Sequence, residues 1–332
     1  MGIEDNLDQS PLSSEHPVES TPLDAVFAFG ATAILKHTQS MAAEIEGVRL
    51  GQDPEAIHRM RVASRRLRTT LQLFPECLPA HRSDDWYKAI RKAASVLGHS
   101  RDLDVQVIAL EELIKTITDR SVRPGVIRIA LRTRQHRLRT QADIHKCLNA
   151  LKKSHALESI EKKINSVIGQ ETLEVTRDPA LFLMASQSCA GLLAEFLMYK
   201  EYIHRPECIT ELHQMRITAK HLRYTLETFS ELYAERISPY LQAIRTAQTL
   251  LGDIHDCDVW SLLLPKLIEK ETEQTLAYYG TSQPIRRLRP GFDWFLENRN
   301  SFRAETYASF VKKWDAWEAK GFWPALLGVL TQ

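Results

Sequence analysis

A chain of 332 residues that is 44% hydrophobic and 26% charged can bury a large core, and nothing in that composition forces disorder. With 43 Lys and Arg against 42 Asp and Glu, the formal net charge is +1, so attraction to a polyanion has to come from a local cluster of cations. The cysteines, Cys77, Cys147, Cys189, Cys208 and Cys257, are odd in number, scattered and never spaced C-x-x-C, which excludes a disulfide framework or a structural zinc site as the simple reading and points to a reducing compartment.

In chain order, residues 1–22 are acidic and polar, with no basic start and no apolar run. They read as a disordered tail, neither signal peptide nor membrane anchor, and the protein is expected in the cytoplasm. Asn6 stands where a myristoylation signal needs Ser or Thr. Leu23 to Leu50 carries helical periodicity ending at Gly51, and Glu55 to Phe74 is a second helix closed by Pro75 and Pro79. Trp86, Ala89, Ile90, Ala93, Val96 and Leu97 mark a third, which Gly98 is expected to end, with Asp102 capping a fourth helix through about Asp119. Arg123-Pro124-Gly125 is a break, followed by an arginine-rich helix to about Lys153. The second half begins near Pro179 with an apolar helix to about His204. A helix from Cys208 follows, then two more over Ile237–Gly252 and Asp253–Lys270. Tyr278 to Phe292 is irregular and reads as a mobile loop. Strand signals are scarce, so the expected class is all-α, two packed helical bundles related by an approximate twofold.

The helix Glu55–Phe74 carries two stripes. Ile57, Met60, Ser64, Leu67, Leu71 and Phe74 form a core face, while His58, Arg61, Arg65 and Arg68 form a second stripe that borders the first. Those four should project along a seam between packed helices. About 155 residues later, Glu211–Phe229 repeats the pattern in register, with His213, Arg216, Lys220 and Arg223 in the same places. Outside the seam the charge drifts, since Arg59 and Arg66 become Gln214 and His221. The repeat extends to Arg91 and Arg245, and to Leu97–Asp104 against Leu251–Asp258, both of the form L-G-x-x-x-D-x-D.

A single basic helix face is ordinarily a solvated one, and a lone helical histidine is more often structural than ligating. Repetition of the seam argues for a ligand. Asp102, Asp104, Asp256 and Asp258, with His99 and His255 nearby, read as caps and turn-shaping groups rather than a magnesium site. Arg128, Arg132 and Arg139 share one face and are candidates to extend the basic wall, whereas Arg134 and Arg137 read as solvated.

The two H-x-x-R-x-x-x-[R/K]-x-x-R helices, the L-R-Y-T-L-E run at Leu222–Glu227 and the paired L-G-x-x-x-D-x-D turns resemble the CHAD family, the conserved histidine α-helical domain, over about Ala25 to Leu330. The resemblance implies one domain over 23–330, with halves 23–175 and 176–330. It implies two four-helix bundles with internal pseudo-twofold symmetry around a central basic channel, binding inorganic polyphosphate at polyphosphate granules. The implied ligand-facing residues are His58, Arg61, Arg65, Arg68, His213, Arg216, Lys220 and Arg223, with Arg91 and Arg245 in a second tier. The first turn has Arg101-Asp102 where the second has His255-Asp256, so the two turns are not expected to contribute equally.

The chemistry agrees with that expectation. Guanidinium groups fork onto phosphate oxygens, and a stripe from residue 58 to 68 rises roughly 15 Å, enough to follow several phosphates. Polyphosphate has no bases, and the seam positions carry no stacking aromatics. Histidines beside a polyanion should be drawn toward protonation, making binding pH-sensitive below neutrality. The expected function is non-catalytic, with no cofactor, metal or membrane partner and no specific nucleic acid. Glu44-Ile45-Glu46 is followed by Val48 where a triphosphate tunnel domain needs Lys, so that domain is not expected, and neither a P-loop, a nucleophile elbow nor H-E-x-x-H occurs. The alternatives are a metal-dependent polyphosphate or phosphoester hydrolase using the Asp turns, and a nucleic-acid backbone binder.

Overall fold

The helical periodicity of the sequence is realised throughout. The computed structural model describes residues 24–51, 53–168 and 178–331 and is all-α, with no strand among those residues. The expected tail over 1–22 and the boundary between the halves near 175 lie outside the described residues. Asp24 accepts the Val26 amide at 2.9 Å and opens α1 (Ala25–Ala43). A break at Glu44 separates α1 from α2 (Ile45–Leu50), which Gly51 ends in the left-handed region at φ 67°. Arg59 forks onto the Glu44 carboxylate at 2.7 and 2.9 Å. Asp53 caps α3 (Pro54–Leu73) through the Glu55 amide. Then come α4 (Ala80–Thr116), α5 (Arg123–Lys153) and α6 (Ala156–Asn165). Asp178 caps α7 (Pro179–Leu197), followed by α8 (Ile209–Thr228), the single turn α9 (Ser230–Tyr233), α10 (Ser238–Tyr279), α11 (Arg289–Ala319) and α12 (Phe322–Leu330).

Two expectations need correction. Helix α4 runs straight through Gly98 and Asp102, and α10 through Gly252 and Asp256, so neither glycine ends a helix and neither aspartate caps one. A mid-helix glycine costs only about 1 kcal/mol relative to alanine. In α4 the core contacts of Leu97, Ser100 and Leu103, all buried, hold the helix together across it. The segment 278–292 is also more regular than expected: α10 stops at Gly280 (φ 70°), Gln283–Arg287 forms a 3-10 turn, and α11 begins at Arg289.

The halves pack in parallel ways. Helix α3 lies against α1 and α4 as α8 lies against α7 and α10, and the antiparallel pair α4–α5 is matched by α10–α11. Where α1, α3 and α8 meet, Phe29, Phe74 and Phe229 touch pairwise, each pair of rings 5.9 Å apart. One large core runs through both halves. A smaller core, including Leu110, Ile129, Trp260 and Phe295, lies at the far ends of α4, α5, α10 and α11. There Gly125 and Gly291 bring two helix starts into backbone contact: a Cβ on Gly125 would fall 2.7 Å from the Gly291 Cα, and one on Gly291 2.6 Å from the Gly125 Cα. Helix α7 with the turn after it is long and apolar enough to cross a membrane, and it buries one stripe, Leu181, Ala185, Cys189, Leu193 and Phe196, in the large core.

Candidate functional site

Burial of the apolar stripes sets the rotation of both basic helices. Ile57, Met60, Ser64, Leu67 and Phe74 on α3, and Leu212, Met215, Ala219, Leu222 and Leu226 on α8, are buried, so the basic stripes are held at the core's edge, half-buried as the sequence pattern requires. Helices α3 and α8 pack on each other, and the two stripes converge. The Arg65 guanidinium donates to the Tyr224 hydroxyl and lies 4.7 Å from the centre of that ring, while Arg223 lies 5.4 Å from it. Buried Tyr224 therefore bridges arginines of both repeats. Its ring is occupied by those cations. Arg68 meets Tyr87 likewise, its Nη2 donating to the hydroxyl at 3.4 Å.

Crowding shows in the proton affinities. Burial pulls Lys220 down to about 8, and Arg216, Arg65, Arg68 and Arg61 reinforce it. Arg65 is drawn down to about 9, first by burial and then by Arg61 and Arg223, which still leaves it charged at neutral pH. His58 and His213 are lowered by burial first, then by neighbouring cations, Arg101 for His58 and Arg216 for His213. His255 stacks on His213 with ring centres 4.1 Å apart and falls to about 4, with burial again the largest cause. The seam thus keeps Arg65 charged and draws its histidines toward the neutral form.

The two L-G-x-x-x-D-x-D segments acquire a clear part. A Cβ at Gly98 would lie 3.7 Å from Arg61 Nε, and one at Gly252 3.5 Å from Arg216 Nε, so each glycine sits directly under its repeat's first seam arginine, with room for no side chain much larger than a methyl. Asp102 sits 3.5 Å from Arg61. Asp256 reaches solvent with protein on most sides, and lost hydration pushes it up to about 6, opposed by Arg216 and reinforced by Asp102 and Asp253. The last aspartates hold the next helix: Asp104 takes Arg137 Nε at 2.6 Å, and Asp258 takes Arg303 Nε at 2.5 Å. Arg137, expected to be solvated, is instead only 17% exposed in this pair. Its partner on α4 was 33 residues away and outside any local pattern. Among the described residues, no group of three or more His, Cys, Asp or Glu is placed to hold a metal ion.

The repeats differ at one end of the seam. Glu227, 11% exposed, accepts Arg223 Nε at 2.9 Å and Arg245 Nη2 at 3.0 Å and lies 3.7 Å from Arg66. The matching residue on α3 is Gln72. Arg68, Arg91, Arg216 and Lys220 make no ion pair among the described residues, and Arg91 is exposed on α4. Arg128 and Arg132 lie elsewhere: both bind Glu271 of α10, a carboxylate 3% exposed beside the smaller core. Their charge is spent joining α5 to α10, and the structure does not bring them to the α3–α8 seam.

Comparison with known proteins agrees with this architecture. The model of the CHAD domain matches residues 32–265. Two uncharacterised proteins of Mycobacterium tuberculosis, from different strains, are each 29% identical over 209 residues, covering 61% of this chain and 38% of their own lengths. The chain thus spans well under half of those relatives. Among solved structures, the CHAD domain from the plant Ricinus communis superposes with a TM-score of 0.58 at 21% identity, covering 86% of this chain and 94% of that one. PptA from Streptomyces chartreusis gives 0.54 at 14% identity, covering 87% and 99%. At those identities the likeness is one of fold.

Proposed function

The chain belongs to the CHAD domain family, and from that premise we propose that it binds inorganic polyphosphate along the α3–α8 seam without altering the polymer. The observation that carries this reading is the convergence of Arg61, Arg65, Arg68, Arg216 and Lys220: the four arginines stand close enough to hold down the proton affinity of Lys220, and among the described residues Arg68, Arg216 and Lys220 make no ion pair. Assembling uncompensated cations costs stability in the free protein, and a linear polyanion offsets that cost by forked, charge-assisted hydrogen bonds. His58 and His213 stand at one end of each stripe, Arg91 beside it. Arg223 and Arg245 contribute less, being held by Glu227, and Arg128 and Arg132 are left out because Glu271 neutralises them.

The Asp segments favour binding over hydrolysis: Asp104 and Asp258 are committed to Arg137 and Arg303. Recessed cations and a near-neutral whole favour a thin polymer over a duplex. The test is a calorimetric titration of the protein with long-chain polyphosphate, single-stranded RNA and duplex DNA at equal phosphate concentration and physiological salt, with chain length measured afterwards. Tight binding of intact polyphosphate alone is expected. Equal affinity for nucleic acid, or chains shortened in a chelator-sensitive way, would overturn the proposal. The same reading has the protein at cytoplasmic polyphosphate granules. Fluorescent imaging of tagged protein and granules checks this, and a uniform distribution in granule-rich cells would count against it.

A further inference from the structure

The seam is built from two copies of one pattern, yet its two ends are not electrostatically alike. At one end Glu227 gathers Arg223, Arg245 and Arg66, drawing arginines from α8, α10 and α3 onto one carboxylate. At the other end the pseudo-symmetric positions are Gln72, Arg68, Arg91 and His221. Gln72 is exposed and brings no charge, and His221 sits near enough to Arg68 and Lys220 for both to hold its proton affinity down, after burial. Among the described residues one repeat pairs its arginines with a carboxylate and the other forms no such ion pair, the acidic group felt at that end being Glu195 beside His221.

We propose that Glu227 is an internal counter-anion that closes one end of the polyphosphate site, so that the bound chain engages the Arg68–Arg91 end and is excluded from Arg223 and Arg245. This rests on the polyphosphate reading above and adds a direction and a limit to the same site. A phosphate oxygen reaching Arg223 or Arg245 has to displace a largely buried carboxylate that already accepts from both, and it meets that carboxylate's like charge while doing so. Among the described residues no carboxylate pairs with Arg68. The footprint is therefore shorter than two full stripes. A Glu at 227 is a specificity determinant: it sets how many phosphates the seam can neutralise.

The experiment is the salt dependence of polyphosphate affinity for three proteins: wild type, Glu227→Gln and Gln72→Glu. The slope of log K against log salt counts neutralised phosphates, at about 0.7 per phosphate for a single-stranded polyanion. Glu227→Gln frees two arginines, so its slope is expected to steepen by about one to two phosphates and its affinity at low salt to rise on the order of tenfold. Gln72→Glu installs the missing carboxylate at the open end and is expected to flatten the slope and weaken binding by a similar factor. Circular dichroism checks that both variants keep their helicity, and because their expected shifts are opposite, general destabilisation cannot imitate the pair. Weaker binding by Glu227→Gln, with a slope unchanged or shallower, would mean that Glu227 holds its arginines in place for the ligand and would overturn the inference. If the wild-type chain binds no polyphosphate, the reading beneath it falls as well, whereas a binding wild type with an indifferent Glu227→Gln sinks this inference alone.

Discussion

The α3 and α8 halves of the seam carry one sequence pattern and differ in how its cations are paired. On α3, Arg61, Arg65 and Arg68 line the seam, with Asp102 loosely placed 3.5 Å from Arg61. On α8, Arg216 lies within electrostatic reach of Asp253 and Asp256, and Arg223 is tied to Glu227. The shared parts of the repeat include those that packing demands, the buried apolar stripe and the last aspartate bonded to the next helix, together with a glycine under the first arginine. The parts that differ are those a ligand would feel. Symmetry here supports the scaffold, and departure from it shapes the site.

The scaffold side of this comparison should break equally in both halves. Asp104→Asn or Asp258→Asn strands Arg137 or Arg303, each pair being less than a fifth exposed, and each change is expected to cost roughly 2–3 kcal/mol in denaturant unfolding. A large cost in one half and none in the other would deny that the two segments are structural equivalents.

The ligand side should break unequally. Arg68→Ala is expected to lower polyphosphate affinity by on the order of tenfold and Arg223→Ala by less than about threefold, because Glu227 already occupies Arg223. Equal losses in a titration would remove the distinction between the two ends.

A smaller difference is set by pH. Lys220 loses its proton at about 8 in the free protein, below its ordinary 10.5, while the α3 position facing it is Arg65. A polyanion favours the ammonium form, so affinity should begin to fall as pH rises above about 8, before Arg65 titrates in its turn at about 9, with proton uptake on binding that makes the measured heat depend on the buffer's ionisation heat. The stability of the free protein runs the opposite way: the cost of the buried charge is fully present below pH 8 and is relieved above it. Lys220→Arg should remove the part of the fall that sets in near pH 8 and leave the later one of Arg65. A profile that still begins to fall near pH 8 in that variant would assign the titration to another group.

The smallest effect expected is at the glycines. A methyl group at Gly98 or Gly252 reaches only ordinary contact with Arg61 or Arg216, so alanine should stabilise the helix by about 0.5–1 kcal/mol with little change in binding. Leucine at either position would push the arginine away and weaken binding, which thermal melts paired with titrations would separate.

How much of this the sequence revealed follows from range. The two stripes on α3 and α8 were legible because helical periodicity is local, and so was the all-α class. The continuity of α4 through Gly98 was not, because tertiary packing on either side decides it. Nor could a sequence pattern pair Arg128 and Arg132 with Glu271, 143 and 139 residues away. One signal was present and missed: Arg123-Pro124-Gly125 recurs as Arg289-Pro290-Gly291, about 166 residues on rather than about 155, because the second repeat is longer. Those two runs place the glycines that bring the far ends of the long helices into backbone contact.

The most direct test of the central claim is a polyphosphate titration of the wild-type protein beside Arg61→Glu with Arg65→Glu, with helicity and melting followed in both. These side chains border the core without filling it, so the account predicts a folded variant whose affinity falls at least about a hundredfold. A folded variant that binds as tightly as wild type would place the site outside the seam and contradict the account.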